Sequence, residues 1–158
     1  MGISIRPATV DDADAIAPLF DLYRTFYQQP ADLALAQRFI GDRLRHEQSV
    51  ILLAEFDGKT VAFTQLFPSF SSVRAGRSWI LNDLYVQASA RRNGIARALL
   101  QAAADFARAD GAIRLELETD PDNRSAQALY RHMGWEPYEG TLRFRLNLNS
   151  TSGKQLAP

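Results

Sequence analysis

The sequence predicts an α/β domain of the α+β kind, a mixed central β-sheet flanked by helices in the order βααβββαβαββ, spanning residues 1–148. Three observations predict it. The apolar period switches between 3.6 and 2 along the chain, so helices and strands are interleaved. Asp57-Gly58 separates two apolar runs and is a strong hairpin turn. In the second half, strand, helix and strand patterns alternate, which implies locally parallel strands. With 158 residues, 46 % of them hydrophobic, the chain suits one compact core.

Ile3-Ser4-Ile5-Arg6 opens the body as a short strand ended by Pro7. Ile16, Leu19, Phe20, Tyr23, Phe26 and Tyr27 share one helical face, and Pro18 within it should kink the helix or shift its start. A second helix is predicted from about Asp32 to His46. Val50 to Phe56 is a strand, and its hairpin partner runs from about Lys59 to Phe67, where Pro68 stops it. Ser69 to Arg77 reads as a loop and Trp79 to Val86 as the next strand. Gly94 to Arg108 is a helix with Ile95, Leu99, Ala103, Phe106 and Ala107 on its buried side, ended by Gly111. Ile113 to Thr119 is a strand and Asn123 to Met133 a helix that Gly134 terminates. Trp135-Glu136 and Thr141 to Leu148 supply the last strands. Residues 149–158 are small and polar and read as a disordered tail.

Composition excludes several functions. Eighteen basic and eighteen acidic residues leave no net charge, so nothing argues for nucleic-acid binding. The absence of cysteine removes disulfides, thiolate catalysis and cysteine-based zinc sites. Two histidines, His46 and His132, are too few for a histidine-rich metal site, and no metal is expected; both read as surface helix residues. No run approaches the roughly 18 apolar residues of a membrane span, and Met1 to Arg6 lacks a signal-peptide core. A cytoplasmic enzyme or binding domain is the expectation.

The most informative stretch is Leu84-Tyr85-Val86 followed by Arg91-Arg92-Asn93-Gly94-Ile95-Ala96-Arg97. A strand feeds a short loop that opens directly into a helix. The free N–H groups of that first turn and the helix dipole favour an anion. Gly94 and Ala96 leave the turn bare, while Arg91, Arg92 and Arg97 add positive charge. A diphosphate would fit. The stretch is neither a Walker loop nor a dinucleotide GxGxxG, and an Arg-rich surface loop capping an ordinary helix explains it equally well in isolation. Further on, Asn123 starts a helix and Tyr130 lies on the same face, roughly 10 Å along the axis. A plain N-cap accounts for Asn123, and a core aromatic beside Ala126, Leu129 and Met133 accounts for Tyr130.

Taken together, the two constellations resemble the GNAT superfamily of N-acetyltransferases. Arg91-x-x-Gly94-x-Ala96 is similar to its [QR]-x-x-G-x-[GA] acetyl-CoA motif, placed between strand and helix. Asn123, Ala126, Leu129, Tyr130, Gly134 and Trp135 resemble its N-x-x-A-x-x-L-Y-x-x-x-G-[FW] segment. The resemblance extends over roughly Ile3 to Leu148. It implies that backbone groups of Leu84, Tyr85 and Val86 pair with the pantetheine arm of acetyl-CoA, the co-substrate. Amides from Arg92 to Arg97, in the loop opened by Arg91, would hold the diphosphate. It further implies that Asn123 bonds the pantetheine region and that Tyr130 reaches the thioester sulfur.

Aminolysis of a thioester needs a neutral amine, a stabilised oxyanion and a protonated leaving thiolate. A phenol near pKa 10 suits a departing thiolate, which makes Tyr130 the expected general acid. A backbone N–H near Tyr85 and Val86 is the expected oxyanion donor. For the base, Asn82-Asp83 resembles the Glu-Asp pair of the family's polyamine acetyltransferases. An asparagine amide cannot take a proton, and that departure points away from polyamines. Asp83, a water chain, Glu116 or Glu118 could serve, and a purely structural Asp83 is an equal alternative. Tyr23, Phe26, Tyr27, Phe67 and Phe70, with Pro30 and Pro68, mark the segments that wall the acceptor site in the family; most of these rings read as core, and the loop from Pro68 to Arg77 is the better place for acceptor contacts.

Expected acceptor contacts are therefore Tyr27, Phe70, Asn82 and Asp83. The expected function is acetyl transfer to a primary amine of a small molecule. The alternatives are a protein lysine or N-terminal acetyltransferase, and a non-catalytic acyl-CoA-binding module. A homodimer paired through the last strands is expected by the resemblance, with neither nucleic acid nor membrane as partner.

Overall fold

The computed structural model describes residues 2–149. They form two compact units, one ending at Asp120 and the other beginning at Pro121. The expected tail lies, apart from Asn149, outside the described residues.

The first unit is a five-stranded sheet in the order β1-β2-β3-β4-β5. Its strands are β1 (Ile3–Pro7), β2 (Val50–Phe56), β3 (Lys59–Ser71), β4 (Gly76–Val86) and β5 (Arg114–Leu117). The first four are antiparallel neighbours, and β5 joins β4 in parallel. A parallel partner needs a crossover, which helix α3 (Ile95–Ala109) provides. Asp57 (φ 53°) and Gly58 (φ 79°) both take the left-handed conformation, as a two-residue hairpin turn between twisted strands requires.

Helices α1 (Ala13–Phe26) and α2 (Leu33–Arg45) cover one face of the sheet. Ile16, Leu19, Phe20, Ile40 and Leu44 pack there with Ile51, Leu53 and Phe63. The intervening residues Leu52 and Ala54 are also buried, on the face that α3 covers with Leu99, Leu100 and Ala103. Burial on both sides explains why Ile51 to Ala54 is continuously apolar rather than alternating. Asp32 caps α2 by accepting from the Leu35 amide at 3.1 Å. Pro18 sits inside α1 without shifting its start; it and Asp14, whose carbonyl loses its helical donor, are exposed, so water can satisfy that carbonyl. Arg6 ties β1 to the short 3-10 helix Val10–Asp12: its guanidinium donates to Asp12 at 2.9 and 3.0 Å and to Glu55 at 3.3 Å.

Two expectations about β3 and the loop after it are corrected. Pro68 does not stop β3, which continues to Ser71 with Pro68 opposite Trp79. Pairing with β2 ends at Leu66, so β3 is an edge beyond that point, and an edge tolerates a residue without an N–H. The loop expected from Ser69 to Arg77 thereby contracts to residues 72–75.

The second unit contains α4 (Arg124–His132), capped by Asn123. Among the described residues no strand follows it, contrary to the expectation for Trp135-Glu136 and Thr141 to Leu148. Leu142, Phe144, Leu146 and Leu148 alternate as a strand would, yet each is more than four-fifths exposed. Alternation supplies the pattern of a strand, but only a hydrogen-bonded neighbour makes one.

Candidate active site

The site is organised by an irregularity in β4. Asp83 faces Gln65 on β3, whereas Leu66, the next residue of β3, faces Leu81. Asn82 is therefore an extra residue, a β-bulge. Before it, Trp79 packs on Phe106 of α3, with ring centroids 5.0 Å apart. By strict alternation Leu81, Asp83 and Tyr85 would share that side. The bulge reverses the parity, so Asp83 and Tyr85 turn towards α1, where Tyr85 lies 6.4 Å from the ring of Tyr23.

Asp83 is only 4 % exposed and is held by donors on several sides. Gln65 Nε2 donates to Oδ2 at 2.5 Å, and Asn82 Nδ2 donates to Oδ1 at 2.9 Å. Gln65 is itself oriented by Ser49, whose hydroxyl donates to Oε1 at 2.7 Å. Tyr23 donates to the Asn82 carbonyl at 3.1 Å. Burial pushes the Asp83 carboxyl above its ordinary value, while the hydrogen bonds from Gln65, Asn82 and Tyr23 pull it back. Burial outweighs them, and the result is a poised carboxyl group of the kind that functional sites use.

A cleft of about 290 Å³ opens above this carboxylate between α1, α2, β3 and β4. Its aromatic walls are Phe20, Tyr23, Tyr27, Phe39 and Phe67, and its polar groups are Arg24, Gln29, Asn82 and Asp83. Of the expected acceptor contacts, Tyr27, Asn82 and Asp83 thus come together. Phe70 does not join them; it is 70 % exposed and lies against the guanidinium of Arg77. Glu116 is exposed and paired with Arg114. His46 and His132 are exposed.

Past Leu81, opposite Leu117, β4 has no further partner on its β5 side, because β5 ends there. Among the described residues of this unit, Asn82 to Val86 has no strand partner on that side and is an edge suited to an extended ligand. The edge runs into the Arg91–Arg97 loop. Arg92 (φ 67°) and Gly94 (φ 74°) are both left-handed, a costly conformation for arginine. Asn93 braces it by donating to the carbonyls of Ala90 and Arg91 at 3.0 and 3.2 Å. A Cβ on Gly94 would meet nothing within 4 Å, so the space above the turn is open. The first turn of α3, from Ile95 through Ala96 to Arg97, has no side-chain cap. Arg91 is committed to the end of β4: Nε donates to the Val86 carbonyl at 2.8 Å, and the guanidinium lies over Tyr85. These features fit a pantetheine diphosphate.

In the second unit Asn123 is the N-cap of α4, its Oδ1 accepting from the Ala126 amide at 3.2 Å. Tyr130 is half-buried and packs on Trp135 with ring centroids 6.1 Å apart.

The sequence reading did not single out Arg24, Gln65 or Ser49. Gln65 had left a signal, a large polar residue in the apolar run Val61 to Phe67. Arg24 left none, since a cation in the last turn of a helix is ordinary.

The Acetyltransferase (GNAT) family model matches residues 16–135. The chain belongs to the GNAT family of acetyltransferases. The uncharacterized N-acetyltransferase YhfO of Bacillus subtilis (strain 168) is 47 % identical over 146 residues, covering 92 % of this chain and 98 % of that protein. A crystal structure of a probable acetyltransferase superposes with a TM-score of 0.87 at 39 % identity, covering 92 % and 97 % of the two chains. The aminoglycoside N-acetyltransferase AAC(6')-Iy, solved with CoA, shares the fold with a TM-score of 0.78 at 18 % identity over 92 % of this chain and 95 % of that one. This GNAT protein is an acetyl-CoA-dependent transferase. Among the described residues no helix is long and apolar enough to cross a membrane.

Proposed function

We propose that the protein acetylates a primary amine of a small molecule, which attacks the thioester of acetyl-CoA directly from the cleft over Asp83. The observation that carries this reading is the buried Asp83 carboxylate beneath an aromatic cleft, on the strand whose free edge leads into the diphosphate loop. The cleft volume is at the lower end of the small-ligand range of roughly 300–1,000 Å³.

The chemistry follows from the groups present. An alkyl ammonium near pKa 10.4 is less than roughly 0.1 % neutral at pH 7, so attack requires a proton acceptor. Asp83 accepts that proton, directly or through one water, and its raised pKa makes it a better base than an ordinary carboxylate. Backbone amides of β4 near Tyr85 and Val86 stabilise the oxyanion. Collapse of the tetrahedral species breaks the C–S bond, and Tyr130 supplies the proton to the thiolate. The Arg92–Arg97 amides hold the diphosphate throughout, with Asn123 contributing to the pantetheine region.

The test is an acetyl-CoA-dependent thiol-release screen against small amines and peptides. Turnover confined to small amines is the expected result. Turnover confined to peptides or proteins would replace this reading by protein acetylation, and acetyl-CoA binding without any turnover would make the chain a binding module.

A further inference from the structure

The cleft holds two unlike charges that do not neutralise each other. Asp83 lies in its wall, and the groups that donate to its carboxylate, Gln65 and Asn82, are neutral. Arg24, in the last turn of α1, lines the same cleft and is half-buried. Among the described residues no hydrogen bond or ion pair engages the Arg24 guanidinium. A half-buried arginine that lines an aromatic cleft and, among the described residues, engages no protein anion is free to meet an anionic group of a ligand. Its planar fork of donors matches a carboxylate in two parallel hydrogen bonds.

From this we infer that the acceptor is an amine that also carries a carboxylate, a free amino acid or a related aminocarboxylic acid, and that Arg24 selects it by binding the carboxylate. The inference rests on the reading of the cleft as the acceptor site. The amino group then lies towards Asp83 and the carboxylate towards Arg24, so the substrate's two charges are each met by their opposites. Tyr23, Tyr27 and Phe39 enclose the carbon skeleton, and their rings also favour the cationic end before it loses its proton. Reversed binding would set carboxylate against carboxylate and ammonium against guanidinium, which fixes the substrate's direction in the cleft.

Arg24 also complements the dipole at the end of α1, so loss of activity on mutation is not by itself a test. Paired acceptors make one. Each amino acid of a panel is assayed beside its amide and its decarboxylated amine, with wild-type enzyme and with Arg24→Gln and Arg24→Lys. The wild type should favour the carboxylate-bearing member of a pair. Arg24→Gln should lower kcat/KM for that member by roughly 10–100-fold, mainly through KM, as for loss of a charged hydrogen bond. The same variant should leave the amide and the decarboxylated amine within a few-fold, and Arg24→Lys should restore part of the preference. Equal losses on all members of a pair would reduce Arg24 to a structural role, and a wild-type preference for the decarboxylated amine would overturn the substrate class. Either result leaves the small-amine reading standing. Failure to acetylate any member of any pair, with turnover of peptides instead, would overturn both.

Discussion

Gln65 and Asp83 face each other across β3 and β4, and the amide of the first donates to the carboxylate of the second at 2.5 Å. The pair lies in a buried line that starts at the Ser49 hydroxyl and ends at the cleft. Each polar group in it has a partner, so a charge-bearing group can be buried here without leaving a donor unsatisfied.

This line makes Asp83→Asn a tolerated change for the fold. The Gln65 amide can turn over, presenting its oxygen to the new side-chain NH₂, while the Ser49 hydroxyl changes from donor to acceptor. Asp83 titrates higher in the native chain than in the unfolded one. The unfolded state therefore loses its proton first, and stability falls as pH rises from the ordinary carboxylate range through the native value. Asparagine carries no such penalty. Asp83→Asn should match or exceed the parent in urea unfolding at neutral pH, with a flatter pH dependence, while kcat falls by about 10²-fold or more.

Gln65→Leu should act on the same carboxylate without touching the substrate. It removes a hydrogen bond that favours the charged form, so the Asp83 carboxyl should titrate higher. The acid limb of kcat/KM against pH should move to higher pH. An unmoved limb would mean that another group is the base.

Gly94→Val should separate cofactor binding from folding. At φ 74° a β-branched side chain costs roughly 1–2 kcal/mol, and its Cβ meets no neighbour. The variant should fold, with a modest drop in Tm. Its methyl groups would occupy the space above the turn, so acetyl-CoA affinity by isothermal titration should fall tenfold or more, about 1.4 kcal/mol.

Tyr130→Phe keeps the ring that packs on Trp135 and removes the one proton it can give. With chemistry rate-limiting, kcat should drop by about 10²–10⁴-fold while KM for acetyl-CoA changes little. Wild-type kcat in this variant would show that the tyrosine only packs.

Strong acid should unfasten the N-terminal strand. The Arg6 guanidinium holds the Asp12 carboxyl down at about 2, below its unfolded value. The ion pair therefore stabilises the fold above the ordinary carboxylate pKa and is lost as pH falls through about 2. Asp12→Asn should lower Tm at neutral pH and narrow the gap to the parent as pH drops through that window.

Where one residue type answers one local demand, the structure was readable in advance. Asp57-Gly58 makes its hairpin, Asp32 and Asn123 cap their helices, and Gly94 opens α3. Non-local facts were not readable. Trp79, Leu81, Asp83 and Tyr85 spell one face of a strand, and only pairing with Leu66 and Gln65 reveals that the face changes between Leu81 and Asp83. Pro68 reads as a stop unless one knows that β2 no longer flanks β3 there. Leu142 to Leu148 carries the period of a strand, and a period says nothing about the neighbour. Arg24 and Asp83 are far apart in sequence, and nothing local announces that they line one cleft.

The bulge at Asn82 gives β4 something like a reading frame. Substitutions at and after it can exchange one cleft-facing side chain for another, as at Asn82 and Asp83, without disturbing the half of the strand that packs on α3. A deletion is a different event. Loss of Asn82 would close the bulge with Leu81 still opposite Leu66 and Asp83 still opposite Gln65, but it would remove the amide that donates to Asp83 and the carbonyl that accepts from Tyr23. Side chains that line the cleft can therefore change one at a time, whereas loss of the extra residue removes two of the hydrogen bonds that hold Asp83 and Tyr23 in place.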